Sequence, residues 1–326
     1  MSRRGFVDIQ VNGFMGRNFT SISVTADDVR DVTRDLLKRG TIAYCPTVVT
    51  GSMELYERNL PLIVNTMTEP EMAGSFLGLH LEGPFICMDP GARGAHEPQY
   101  IRKPSIDDFK RIYDWADGKV AILTVAAGES GIEELISYAA EQGVVVSLGH
   151  QSASEEAIAA AVAAGATCST HVGNGIQNTI DRHRNSIWPQ LACDELCCSF
   201  ITDGHHLPPA VIKVALRAKG VDRFIVISDV SPLAGLPVGS YECFGKMLDV
   251  EPSGRIYSPE SQGLGASGST MIECMNHLAS FSLLSEADLW KVGLENPLEL
   301  LGKSVEQLKD VDGPEVRFDG VKFTII

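Results

Sequence analysis

The sequence predicts an α/β fold: a (β/α)8, TIM-like barrel with a short C-terminal β appendage. Three observations predict it. Eight short β-rich runs, apolar along most of their length, recur within the 326 residues, as strands buried on both faces do. Amphipathic helical patterns lie between them, and this alternation builds a parallel sheet covered by helices. Five polar residues of chemically useful types stand at or just past the carboxyl ends of runs, where such a barrel carries its site. A chain of this length is sufficient for one large core.

The first strand is read at 6–11 ("FVDIQV"). The helix after it, "TADDVRDVTRDLLKRG" at 25–40, opens on Thr25 and Asp28 spaced as a capping box and stops at Gly40. Strands follow at 42–49 ("IAYCPTVV"), 76–82 ("FLGLHLE") and 120–126 ("VAILTVA"). A helix at 131–143 ("GIEELISYAAEQG") precedes the strand at 144–149 ("VVVSLG"), and another at 154–165 ("SEEAIAAAVAAG") precedes the strand at 166–170 ("ATCST"). The last two barrel strands are read at 198–202 ("CSFIT") and 224–228 ("FIVIS"). Beyond residue 230 the pattern changes to a hairpin over 240–258, helices over 269–284 and 285–294, and a terminal pair of strands around Asp319-Gly320. With no linker, low-complexity tract or short repeat, the expected division is a barrel over 1–305 and a tail, a β-hairpin, over 306–326.

Composition excludes several classes of partner. The net charge of -15 argues against nucleic acid and anionic membrane surfaces, which select basic faces. No apolar run is long enough to span a bilayer, and the start "MSRRGFVDIQVNGFMG" lacks the apolar stretch and cleavage site of a leader. A cytoplasmic protein is expected. The eight cysteines lack the spacing of a disulfide framework and are read as reduced. Cys193, Cys197 and Cys198 have no second paired motif and are assigned to packing rather than to metal.

The stretch "LGLHLEGPFI" ends a buried strand on Glu82. A lone carboxylate there is costly unless paired or bound to a cation. On the barrel reading, Glu82 closes the third strand, His150 the fifth, His171 the sixth and Asp229 the eighth, while His206 follows the seventh. All five then meet on one rim. A carboxylate with two neutral imidazoles is a catalytic zinc set that leaves one position open. Asp229 is suited to carry a proton and His206 to face a developing oxyanion. The chemistry so implied is amide hydrolysis.

The motifs "HLEGPFI...GAH", "LGH", "TH..N", "DG.H..P", "SD...LAGLP.G.Y" and "LGASGSTM" resemble the N-acetylglucosamine-6-phosphate deacetylase family of the amidohydrolase superfamily. The resemblance runs from about residue 5 to about 302 with the motifs in order. It implies Glu82, His150 and His171 as metal ligands, Asp229 as catalytic acid/base, and one divalent ion per chain, zinc being expected although iron and cobalt use the same ligands. It implies substrate contacts at Ala95, His96, Asn174, Gly175 and His206, and on a loop at Leu264, Gly265 and Ala266. The family's phosphate-binding arginine falls on Arg182, and because that residue can come from a neighbouring subunit, a homodimer is left open. The implied substrate is a small amino-sugar phosphate, N-acetylglucosamine 6-phosphate.

Three features depart from wider patterns. Many amidohydrolases carry His-x-His on the first strand, where this chain has Gln10 and Asn12; amides are poor zinc ligands, so a mononuclear site is expected. The two amides are read as hydrogen-bonding in the barrel mouth, and Gln10 is counted among the substrate contacts. The resemblance implies an N-terminal segment that joins the C-terminal one in a small β-sandwich, and that sandwich is expected to be absent or reduced to the tail; "HVGNGIQN" stands in place of the usual Asn-Ala-Met run. Two other readings therefore stay open at the level of sequence: an amidohydrolase for a different N-acyl or cyclic amide, and a non-catalytic barrel that binds a sugar phosphate.

Overall fold

The computed structural model describes residues 5–326; the first four residues of the N-terminal stretch considered above lie outside the described residues. Eight parallel strands form one sheet in sequential order: β1 (Phe6–Val11), β2 (Thr41–Val49), β3 (Leu79–Glu82), β4 (Val120–Val125), β5 (Val145–Leu148), β6 (Ala166–Ser169), β7 (Cys197–Ile201) and β8 (Phe224–Ile227). Each coincides with an expected run. The sheet curls back on itself where Val11 bridges Val230 in parallel and Asn12 N–H donates to Val230 O at 2.9 Å. Helices cover its outside, so both strand faces are buried: every residue of β1 is enclosed, including Asp8 and Gln10.

The helix Ala26–Lys38 shows why local sequence and fold agree. Thr25 and Asp28 cap each other's backbone N–H groups, and Val29, Val32 and Leu36 form its buried stripe. Gly40 then turns the chain with φ +80°, and a Cβ there would meet Val316 Cγ2 at 2.7 Å. Helices at Met53–Met67, Ile106–Trp115 and Pro209–Lys219 extend the strand–helix alternation.

The region after β8 differs from expectation. The hairpin predicted over 240–258 is part of a four-stranded antiparallel sheet formed by Gly239–Cys243, Lys246–Val250, Ile256–Ser258 and Gly263–Ala266. The segment expected as a substrate loop, Leu264 to Ala266, is its last strand. Its sequence, "GLGA", has no β-branched residue, so the usual strand signal is missing. The C-terminal strands Val316–Phe318 and Phe323–Ile325 do pair as a hairpin. They pack under the amino-terminal end of the barrel, where the Phe323 ring meets the edges of Phe6 and Trp290 at 5.0 and 5.1 Å.

Inside the barrel, Asp8 accepts from the backbone N–H groups of Gln10 and Ser228 at 3.2 and 3.3 Å and from the Ser228 hydroxyl. Burial pushes its carboxyl up to about 7, against the pull of the Ser228 hydrogen bond. A folded-state value above the unfolded one means that the folded chain holds the extra proton. The contribution to stability is full below the unfolded value near 4 and is lost as pH rises through 7. Urea unfolding at fixed metal loading is expected to show wild type losing a few kcal/mol more than Asp8→Asn between pH 4 and 8. Parallel profiles for the two proteins would remove Asp8 as the source.

Candidate active site

β3 places its side chains alternately, so His80 and Glu82 both face the barrel axis. His80 supports the site from below. Its Nδ1 donates to Ile9 O at 2.9 Å and its Nε2 pairs with Thr124 Oγ1 at 2.8 Å. Burial lowers it to about 4, and it is neutral. Thr124 continues this polar layer to Thr170 at 2.7 Å, and Thr170 to Ser147 at 2.6 Å.

Three residues beyond strand ends, His150, His171 and Asp229, have φ of 50°, 32° and 50°. Non-glycine residues in this left-handed region cost on the order of 1–3 kcal/mol each and cluster at functional sites. The turns redirect the chain immediately after β5, β6 and β8. Glycines let the neighbouring loops close over one ring: a Cβ on Gly175 would lie 2.8 Å from His150 Nδ1, and one on Gly94 would lie 3.4 Å from His150 Cε1.

Glu82 Oε1 is 2.9 Å from Nε2 of His150 and 2.9 Å from Nε2 of His171, and the two nitrogens are 3.1 Å apart. His150 Nδ1 sits 2.9 Å from Ala92 O, which can only accept, so the neutral ring leaves Nε2 without a proton. A bare nitrogen facing a carboxylate oxygen and a second imidazole is a set of acceptors awaiting a cation. The residues fit a divalent ion, and among the described residues this is the one group of three or more metal-competent side chains. Burial opposes the Glu82 charge, but the two imidazoles that face its Oε1 outweigh it and hold the carboxyl well below its usual range. Burial likewise opposes charge on His171, and Glu82 reverses that and raises it.

Around this group the other proton-handling residues gather. His96 Nε2 is 3.2 Å from His150 Nε2, while His96 Nδ1 pairs with Thr50 Oγ1 at 2.9 Å. Burial, then the neighbouring His150, pushes His96 down to about 3. Asp229 is raised to about 6 by burial and then by the charge of Glu82, while His171, His206 and a hydrogen bond from Asn12 pull the other way. His206 donates Nδ1–H to Asp203 Oδ2 at 2.8 Å. Burial would raise Asp203, but the His206 bond lowers it to about 2. The ring is thereby fixed with Nε2 left for the cleft.

That cleft has a cavity volume of about 200 Å³ and is lined by Glu82, His150, His171, Asp229 and His206, together with Ala95, His96, Asn174, Gly175, Leu264, Gly265 and Ala266. Two sequence-assigned residues stand elsewhere. Gln10 is enclosed below the mouth with its Nε2 unpartnered, because the next inward position, Asn12, is the one that reaches the cleft. Arg182 is exposed on the loop between β6 and the helix Ile187–Ala192, and its carbonyl accepts from Trp188 Nε1 at 3.3 Å. It does not line the cleft of its own chain. Asp203 and Thr50 were not singled out in the sequence, although Asp203, three residues before His206, was within reach of a spacing argument. The eight cysteines are free, and no helix among the described residues is long and apolar enough to cross a membrane.

The barrel and the site together define a metal-dependent amidohydrolase. No protein-family model matches the chain. It is 34% identical over 310 residues to N-acetylglucosamine-6-phosphate deacetylase of Mus musculus, covering 91% of this chain and 74% of that protein. The enzyme of the same name from Bacillus subtilis is 30% identical over 301 residues, with the same coverage of 91% and 74%. The crystal structure of N-acetyl-D-glucosamine-6-phosphate deacetylase from Mycobacterium smegmatis superposes with a TM-score of 0.88 at 25% identity, covering 100% of this chain and 86% of that one. The chain belongs to the N-acetylglucosamine-6-phosphate deacetylase family.

Proposed function

We propose that the protein hydrolyses the acetamide of N-acetylglucosamine 6-phosphate, giving glucosamine 6-phosphate and acetate. The observation that carries this reading is the convergence of Glu82, His150 and His171 within 3.1 Å of one another, in the same cleft as Asp229 and His206. Family membership points to the substrate. Glu82, His150 and His171 hold one divalent ion per chain, and zinc suits this ligand set. When bound, such an ion brings the pKa of water toward neutrality and polarises an amide carbonyl.

The chain's own groups supply the proton chemistry and the positioning. Asp229 accepts the proton of the attacking water as the new C–O bond forms and returns it to the amine as the C–N bond breaks. His206, its Nδ1–H held by Asp203, leaves Nε2 for the cleft, and in its imidazolium form that nitrogen donates to the developing oxyanion. Ala95, His96, Asn174, Gly175 and the strand ending in Leu264, Gly265 and Ala266 surround the sugar. The reduced cysteines and the absence of a membrane-length apolar helix among the described residues support a cytoplasmic enzyme.

Arg182 is assigned to the phosphate from across a homodimer interface; its exposure away from its own chain's cleft favours action in trans over action in cis. Arg182→Ala is expected to lower kcat/KM for the phosphorylated sugar about ten- to a hundredfold, the equivalent of a charge-assisted pair of about 1.5–3 kcal/mol. N-Acetylglucosamine without phosphate should be nearly unaffected. Mixing Arg182→Ala chains with Asp229→Asn chains should restore activity in hybrid dimers. Equal losses on both sugars would make Arg182 structural. A wild-type enzyme indifferent to phosphate would overturn the substrate and favour a different N-acyl amide.

A further inference from the structure

Asn12 stands where β1 ends beside β8. The seam made by the Val11–Val230 bridge and the Asn12 N–H to Val230 O bond sets Asn12 and Asp229 at one height on neighbouring strands. Asn12 Nδ2 lies 2.8 Å from Asp229 Oδ1 and 3.4 Å from the Asp229 carbonyl oxygen. Both neighbours are acceptors, so the amide presents its nitrogen to them and its oxygen away from them. Asn12 Oδ1 is accordingly buried with no hydrogen-bond partner. A carboxylate oxygen that accepts from an amide N–H is not the oxygen that carries the proton. The two oxygens of Asp229, which lines the cleft, are therefore inequivalent: Oδ1 is held by Asn12 and Oδ2 is not.

We infer that Asn12 is a positioning residue for the reaction: its amide anchors Oδ1 of Asp229 and leaves Oδ2 to take and return the proton. The inference rests on the reading of Asp229 as acid/base. It also accounts for an amide where many amidohydrolases have an imidazole on the first strand. An asparagine serves the aspartate as a neutral donor and competes weakly for metal. The groups that act on Asp229 are Glu82 from β3, His171 beyond β6, His206 beyond β7 and Asn12 from β1. Asn12 alone among these carries no charge at any pH, so replacing it alters the hold on Asp229 without removing a metal ligand.

Asn12→Leu removes the donor at similar size. It is expected to lower kcat about ten- to a hundredfold, the scale on which small misplacements of a catalytic group act, with KM and metal content per chain close to wild type. Asn12→Asp keeps the shape, loses the donor and sets a second carboxyl against Oδ1. It should move the acid limb of the kcat profile upward by about a unit or more, which a merely structural residue would not do. In the Asp229→Asn background, Asn12→Leu should cost nothing further, since the anchored group is already disabled. Wild-type kcat in Asn12→Leu beside an inactive Asp229→Asn enzyme overturns this inference alone. An active Asp229→Asn enzyme overturns it together with the reading beneath it. Metal lost in step with activity in Asn12→Leu, or an unmoved acid limb in Asn12→Asp, also overturns it.

Discussion

Asp229→Asn is expected to keep its metal and its fold and to lose turnover by about a hundredfold or more. The amide matches the carboxylate in size and enters the same half-buried site, but it cannot take a proton from water or hand one to an amine. The surroundings of Asp229 suit that task. Burial and the nearby Glu82 charge raise it to about 6, close to neutral pH, where a general base or acid is most effective. Elemental analysis and single-turnover rates on the same preparation separate the possibilities. Near-native turnover would remove Asp229 from the mechanism. Metal loss in proportion to rate would recast it as a ligand.

The barrel was legible because its strands are buried on both faces and so read as nearly unbroken apolar runs, each bounded by turn chemistry. The rim residues were legible for a related reason. A polar side chain that closes an apolar run, as Glu82 does after "LGLHL", has to be explained by a partner, and a barrel brings its strand ends to one place. The left-handed φ of His150, His171 and Asp229 is the backbone counterpart of that signal, invisible in residue type because none of the three is glycine.

What escaped the sequence depends on contacts rather than on pattern. The strand Gly263–Ala266 has two glycines, a leucine and an alanine, and its extended form is dictated by pairing with Ile256–Ser258, not by propensity. Gln10 and Asn12 look equivalent in "VDIQVNG", two positions apart on one face of β1. One pleat of depth separates them: Gln10 is shut beneath the mouth and Asn12 meets Asp229 across the seam between β1 and β8. That seam joins residues 217 positions apart, so no local spacing could announce it. Arg182 is the reverse case, a residue with suitable chemistry on a loop that its own cleft does not use.

Glu82→Gln is expected to remove most of the metal and, with it, the activity. Glu82 is the one anion among the three proposed ligands, and its Oε1 contacts both imidazole nitrogens at 2.9 Å. A neutral amide oxygen in its place binds a divalent ion poorly, and without the carboxylate two neutral rings remain. Loss of an outer hydrogen-bonding partner of such a ligand typically costs about ten- to a hundredfold in metal affinity, and loss of the ligand itself should exceed that. The fold should survive, because the glutamine amide can donate to the bare Nε2 of His150 where the carboxylate could only accept. Metal-free unfolding temperatures of the two proteins should therefore lie close together, while elemental analysis shows about one ion per wild-type chain and far less in the variant. Added metal should restore part of the variant's activity at concentrations well above those that saturate wild type. Unchanged metal content in Glu82→Gln would take Glu82 out of the ligand set, and two ions per active wild-type chain would end the mononuclear reading by requiring ligands that Gln10 and Asn12 do not supply.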